Sequence, residues 1–358
     1  MGTPKYLIVV QAIKDSIEQQ EFLPGERIHS EMDLCKMHSV SRQTVRQALN
    51  VLEQEGFLSK KQGSGTFVSK VPGAAKSVNI RTVGVVSTYF SDYIFPDIIT
   101  GIEQVLSEHN VGMQLALTHN KVKSEEKALL SMLDKNISAL IVEPSKSALP
   151  NPNRRLYDEI EERGIPLVFF NARYEWSTFP CIALDDVQAG RMATQHLIDS
   201  GHKRIAGIFK LDDIQGHLRY KGFMKSTGEA GLDVDEKKVL WYSAEDVDDL
   251  FLSSERLLSR LADSDAVVCY NDQLAIRLVE FCSNHDIGVP EKLSIVGIDN
   301  SNLAAMCEVP LTTIAHPRRK LGRDTGEAIL KLLENPAADV ENFYKPELVI
   351  RSSVFTRK

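Results

Sequence analysis

The chain has 358 residues, 43% of them hydrophobic and 25% charged, the composition of a soluble globular protein with room for two or three domains. No apolar run reaches the roughly 18 residues of a membrane span and the N-terminus has no apolar signal region, so the expected compartment is the cytoplasm and no membrane partner is expected. The five cysteines (Cys35, Cys181, Cys269, Cys282, Cys307) form no Cys-x-x-Cys pair, which argues against a disulfide framework or zinc site, and neither metal nor cofactor is expected.

The net charge of −7 is unevenly spread. Residues 1–76 carry 10 Lys and Arg against 8 Asp and Glu, a net of +2, and the remainder 32 against 41, a net of −9. A mildly basic head on an acidic body suits a chain whose small end meets phosphates.

Val9, Ile13 and Ile17 repeat every four residues and predict a helix with one apolar stripe. Leu23-Pro24-Gly25-Glu26 breaks it. Ser30-Glu31-Met32-Asp33 reads as an N-cap with an acid three residues on, opening a short helix. His38-Ser39-Val40 is a turn, and Ser41 is a second N-cap for a helix with Val45, Leu49 and Leu52 facing inward. That spacing turns Arg42, Gln43, Thr44 and Arg46 outward, where a helix-turn-helix reaches base edges and phosphates. Arginine fits there because its fork pairs with guanine O6 and N7 or with a phosphate. Residues 58–62 and 66–68 read as short strands joined through Gly63-Ser64-Gly65, with Lys60 and Lys61 at the base of a wing.

These motifs, with Ser41-Arg42-x-Thr44-Val45-Arg46-x-Ala48-Leu49, Leu52-x-x-x-Gly56 and Gly63-Ser64-Gly65-Thr66-Phe67-Val68, resemble the DNA-binding domain of the GntR family. The resemblance implies a winged helix-turn-helix over residues 1–70 that binds double-stranded DNA. The implied contacts are Arg42, Gln43, Thr44, Arg46 and the wing residues Gln62 and Gly63, and Lys5, Lys61 and Gly65 are expected to bind DNA beside them. Two positions depart from the family pattern: His29 stands where a proline is usual, and Met32 where a polar or basic contact is frequent.

Residues 71–79 read as a linker. Beyond it, short β-rich runs at 83–87, 113–117, 139–142, 167–170, 205–209, 266–269 and 293–297 alternate with amphipathic helix-length segments. That alternation predicts parallel sheets with flanking helices, arranged as two lobes over residues 80–358. Ligands of such sheets bind outside the carboxyl ends of the strands. The residues expected there include Tyr93, Glu143, Lys146, Asn171, Arg173, Asp272 and Asp299, with Arg219 early in a following helix and Phe95 or Phe169 nearby. Carboxylates accept from hydroxyls, Asn and Arg donate, and an aromatic face covers the C–H side of a sugar. Asp186 is read as a helix cap.

Thr82-Val83-Gly84-Val85-Val86, Asp185-Asp186-x-x-x-Gly190, Gly201-His202-x-x-Ile205, Arg219-x-x-Gly222-Phe223, Tyr270-Asn271-Asp272 and Ser294-Ile295-Val296-Gly297-Ile298-Asp299 are similar to the effector domain of the LacI/GalR family. That implies a fold like periplasmic sugar-binding proteins, effector roles for Asn171, Arg219 and Asp272, and a homodimer formed through this domain. A GntR-type head on a LacI/GalR-type body, together with Val142-Glu143-Pro144-Ser145-Lys146-Ser147, resembles the bacterial arabinose-responsive repressors and implies L-arabinose as effector. The cleft chemistry by itself leaves xylose, ribose, galactose or a non-sugar effector open.

The sequence carries no nucleophile elbow, Walker loop or His-Glu-x-x-His motif, so an enzyme is not expected. A transport receptor would share the body, but it would need an export signal and has no use for a winged helix. The expectation is a repressor that holds a pseudo-palindromic operator as a dimer and leaves it when sugar binds.

Overall fold

The computed structural model describes residues 5–19, 21–61, 65–69, 81–90, 93–135 and 137–357. Two compact units separate between residues 80 and 81. The expected wing-tip residues Gln62 and Gly63 and the expected linker 71–79 lie outside the described residues.

The first unit contains α1 (Lys5–Glu18), α2 (Glu31–His38), α3 (Arg42–Gln54), β1 (Leu58–Lys61) and β2 (Gly65–Val68). Val9, Ile13 and Ile17 of α1 are buried with Leu34, Val45, Leu49 and Leu52, so the apolar stripes of all three helices meet in one core. Ser30 closes a capping box on α2: its hydroxyl accepts from the Asp33 amide at 3.2 Å, and the Asp33 carboxylate accepts from the Ser30 amide at 3.3 Å. Ser39, at φ 51°, ends α2 in the left-handed region, and Ser41 caps α3 by accepting from the Thr44 amide at 3.2 Å. β1 and β2 pair antiparallel with Lys61 opposite Gly65. The Leu23-Pro24-Gly25-Glu26 break does more than end a helix. The chain after it pairs onto β2, with the Ile28 amide donating to the Thr66 carbonyl at 3.0 Å and the Val68 amide to the Glu26 carbonyl at 2.8 Å.

The second unit begins β3 (Thr82–Ser87), α4 (Phe95–Glu108), β4 (Gly112–Leu117), α5 (Val122–Asp134), β5 (Ala139–Val142), α6 (Arg154–Glu162), β6 (Leu167–Phe170) and β7 (Cys181–Leu184). It continues with α7 (Asp186–Asp199), β8 (Ile205–Lys210), α8 (Ile214–Glu229), β9 (Val239–Tyr242), α9 (Val247–Leu252), α10 (Ser254–Leu261), β10 (Ala266–Cys269), α11 (Asp272–Asn284), β11 (Ser294–Asp299) and β12 (Thr312–Ala315). It ends with α12 (Arg318–Glu334), β13 (Asn342–Tyr344) and β14 (Glu347–Val349). One sheet has the order β13-β7-β6-β5-β3-β4, all parallel. The other has the order β14-β12-β11-β10-β8-β9, parallel except for β14. The chain therefore crosses between lobes after β7, after β12 and after β13. Helix pairs pack closely through glycine: a Cβ at Gly190 of α7 would overlap the Arg219 carbonyl oxygen of α8.

Candidate functional site

On the first unit, Arg42, Gln43 and Arg46 are exposed on the N-terminal half of α3 and Thr44 is half-buried, on the face opposite Val45 and Leu49. Glu31 joins the two arginines: Arg42 Nε donates to it at 2.9 Å and Arg46 Nε at 3.0 Å. The Arg42 hydrogen bond, seconded by Arg46, holds the Glu31 carboxyl below its ordinary range. An exposed pair of this kind adds little stability and leaves both guanidinium groups ready to exchange an acid for a phosphate. Lys5 is exposed at the start of α1, and Met32 is exposed at the foot of α2. Gly65 starts β2 at φ 116°, a backbone conformation that L side chains rarely adopt and that glycine takes without strain.

On the second unit, a cavity of about 500 Å³ opens at the carboxyl ends of both sheets. Tyr93, Glu143, Asn171, Arg219 and Asp299 line it together. Glu143 follows β5 and is buried. It accepts from the Thr88 amide at 2.8 Å, the Thr88 hydroxyl at 2.5 Å and Asn171 Nδ2 at 2.8 Å. Burial raises its carboxyl above the usual range, and these donors oppose the shift. Asn171 follows β6 at φ 62°, and its Oδ1 is buried with no partner among the described residues. Tyr93, at φ 61°, donates from the first lobe to Asp299 Oδ2 at 2.5 Å in the second. Burial and the nearby Asp299 and Asp272 keep the Tyr93 phenol protonated.

Arg219 lies one turn into α8 and is 4% exposed. It donates to Asp186 at 2.7 Å, the Tyr270 carbonyl at 2.5 Å and Asp299 at 3.4 Å, and its guanidinium lies 4.8 Å from the Tyr270 ring centre. Burial works against its charge, but Asp186 and Asp299 outweigh burial and hold it protonated. Burial pushes Asp186 up to about 6 against the pull of Arg219.

Other expected residues stand elsewhere. Lys146 turns from the wall to pair with Glu245 at 2.6 Å, and Arg173 pairs with Glu341 and covers the Phe343 ring. Asp272 is fully buried behind the wall, where it accepts from the Thr313 hydroxyl and the Ser301 amide, both at 2.6 Å. It shapes the loop after β11. Burial, then Asp299, raises its carboxyl to about 7. Phe169 packs into the core with Tyr157 and Tyr174 and is not among the residues that line the cavity. The cap of α7 is Asp185, which accepts from the Gln188 amide at 3.0 Å; Asp186 is the first helical residue and turns inward to Arg219. The sequence reading missed Lys210, Asp213 and Tyr242 on the wall; Lys210 and Asp213 pair at 2.6 Å.

Residues 5–68 match the pattern of bacterial regulatory proteins of the gntR family, and residues 194–354 match the periplasmic binding protein-like domain. The arabinose metabolism transcriptional repressor of Geobacillus stearothermophilus is 41% identical over 355 residues, covering 98% of this chain and 97% of that protein. The chain belongs to the arabinose metabolism transcriptional repressor family. A repressor of the same name from Halalkalibacterium halodurans is 40% identical, over 99% of this chain and 97% of its own length. Among solved structures, the transcription regulator GntR from Chromobacterium violaceum matches with a TM-score of 0.68 and 26% identity, over 76% of this chain and 99% of that one. The regulator CcpA of Lactococcus lactis matches with a TM-score of 0.68 and 26% identity, over 76% of this chain and 98% of that one. Proteins of this arabinose repressor family are DNA-binding regulators, not enzymes. Among the described residues, no helix is long and apolar enough to cross a membrane and no side-chain group could hold a metal ion.

Proposed function

We propose that the protein is a cytoplasmic operator-binding repressor that L-arabinose releases from DNA. The observation that carries this reading is the cavity: acceptors from both lobes, Glu143 and Asn171 facing Asp299, stand beside Tyr89, Tyr93 and Tyr270. A polyol donates its hydroxyls to such acceptors and lays its C–H face on a ring. The names of the full-length relatives favour arabinose among the sugars that this chemistry admits.

On this reading residues 1–70 are the DNA-binding head, 71–79 the linker and 80–358 the sugar-binding and dimerisation body. Arg42, Gln43, Thr44 and Arg46 read base edges and phosphates, while Lys5, Lys61, Gln62, Gly63 and Gly65 hold the flanking backbone and groove. Tyr93, Glu143, Asn171, Arg219 and Asp299 hold the sugar. A homodimer sets two heads on half-sites about one helical turn, or a multiple of it, apart. Sugar binds the closed-lobe form more tightly, and by linkage it weakens DNA binding as much as DNA weakens sugar binding. The test is a titration of L-arabinose into the complex of the full chain with DNA selected from a random pool by the protein itself. The complex should dissociate; an operator affinity unchanged at saturating sugar would overturn the reading.

A further inference from the structure

The loop after β5 reaches from the first lobe to the second beside the cavity. Ser147 Oγ accepts from the Ile214 amide at 2.9 Å, the Ala148 amide donates to the Asp212 carbonyl at 3.2 Å, and Lys146 Nζ meets Glu245 at 2.6 Å. Asn120 closes the same edge, donating to Asp213 at 3.2 Å while its Oδ1 takes the Lys146 amide at 2.7 Å.

The Ser147 bond has an unusual place. Ile214 is the first residue of α8, and Asp213, at the N-cap position, gives the helix no side-chain cap. The Asp213 carboxylate is taken by Lys210 and Asn120 instead. An N-terminal helix amide that needs an acceptor thus receives it from the opposite lobe. The loop that supplies this acceptor is fixed on its own side: buried Glu125 accepts from the Ser145 amide at 2.7 Å, Tyr174 at 2.8 Å and Tyr157 at 2.9 Å. The same helix carries Arg219 into the cavity.

We propose that Ser147 is a positioning residue for the effector response, capping α8 across the cleft only when the lobes are closed, with Lys146 and Glu245 as the outer half of the same latch. The proposal rests on the sugar-release reading. When the lobes part, the Ile214 amide goes to water and the charges separate, so each latch contact favours the closed form that the sugar selects. Losing a side-chain N-cap corresponds to about a two- to thirtyfold change in such an equilibrium. Losing an exposed ion pair corresponds to about a two- to fivefold change.

The test uses the full chain with Ser147→Ala, Glu245→Lys and the charge swap Lys146→Glu/Glu245→Lys. Hydrogen exchange read by mass spectrometry, with and without saturating L-arabinose, follows residues 212–218. Calorimetry measures the L-arabinose Kd, and a binding assay measures operator affinity without sugar. Both single variants should speed exchange at the start of α8, including Glu245→Lys, whose site lies outside that helix. Both should weaken sugar within the ranges above, the swap should restore it, and operator affinity without sugar should not fall. Wild-type exchange and wild-type sugar affinity in Ser147→Ala and Glu245→Lys would overturn the latch. So would a loss of operator binding equal to the loss of sugar binding, which marks a merely structural role. If the unmodified chain binds no L-arabinose, the sugar reading fails, and the exchange at α8 still decides the latch.

Discussion

Replacing Arg219 by methionine keeps the length of the side chain and removes its charge and donors. The structure gives the consequence. Asp186 and Asp299, at 2.7 and 3.4 Å, lose the cation they share. Both are almost fully buried, so water from the cavity replaces it poorly. Breaking a buried ion pair from one side costs about 3–5 kcal/mol, because an unpaired charge stays behind. For a domain of this size that is roughly a 6–20 °C drop in the melting temperature of the body. Asp186, already raised to about 6, will take up a proton in the variant and soften the loss at low pH. The double variant Arg219→Met/Asp186→Asn should therefore recover part of the stability at pH 7. Sugar binding should be lost in both, since the guanidinium is a buried cavity donor. Operator binding, measured below the melting transition, should persist, because the head has its own core. Scanning calorimetry and sugar titration check this. A body transition within 2 °C of wild type, with sugar affinity retained (thresholds of about one measurement error), would refute the account of the cluster.

Arg46→Ala should cost about 1–3 kcal/mol of operator binding and leave the sugar Kd unchanged, as read by DNA titration and calorimetry. Sugar phosphates should bind at least roughly tenfold more weakly than the neutral sugar, because like charges in a closed site repel. The wall carries Glu143, Asp186, Asp213 and Asp299, and its cations Lys210, Arg219 and Arg277 already pair with Asp213, Asp186 and Asp248; competition calorimetry tests this. His316, on the cavity wall, is held down to about 3 by burial, then by Arg219 and Arg318. It is neutral when folded and titrates near 6.5 when unfolded, so it contributes stability above pH 6.5 that is lost as pH falls. The loss reaches about 2 kcal/mol by pH 5. Asp186 and Asp272, with raised values, act with the opposite sign but are shared by wild type and His316→Gln. Stability at pH 7 minus stability at pH 5, read from denaturant midpoints, should therefore be about 2 kcal/mol lower in His316→Gln than in wild type, whatever the sign of the wild-type difference.

The strands 139–142, 167–170 and 266–269 were legible because continuous apolar runs bounded by turns mark strands buried on both faces. The same runs hide which face a residue takes. Phe169 sits in such a run, and nothing in the sequence says that it turns to the core while Asn171, two residues on, lines the cavity. β9, with alternate residues buried, was missed at the sheet edge, and Tyr242 with it. Strand ends located Lys146 and Arg173 near the cleft, but distant acids, Glu245 and Glu341, draw both side chains away. Asp186 looks like a cap beside Asp185. Only its pairing with Arg219, 33 residues on, reveals it as part of the cavity cluster.

The cavity's polar groups are mostly bonded to one another before any sugar is considered: Tyr93 to Asp299, Glu143 to Thr88 and Asn171, Arg219 to Asp186. Their orientations are therefore set by the protein, while each carboxylate keeps acceptor capacity and Asn171 Oδ1 has no partner among the described residues. Fixed acceptors discriminate stereoisomers by geometry, since a misplaced hydroxyl leaves a buried group unpaired. This is why residue types alone cannot tell arabinose from xylose. Glu143 comes from β5 in one sheet and Asp299 from β11 in the other. On the proposed reading, a sugar that satisfies both acceptors holds the lobes together. Recognition and response then become a single event, because a sugar whose hydroxyls reach only one lobe gains no differential affinity for the closed form and moves no equilibrium.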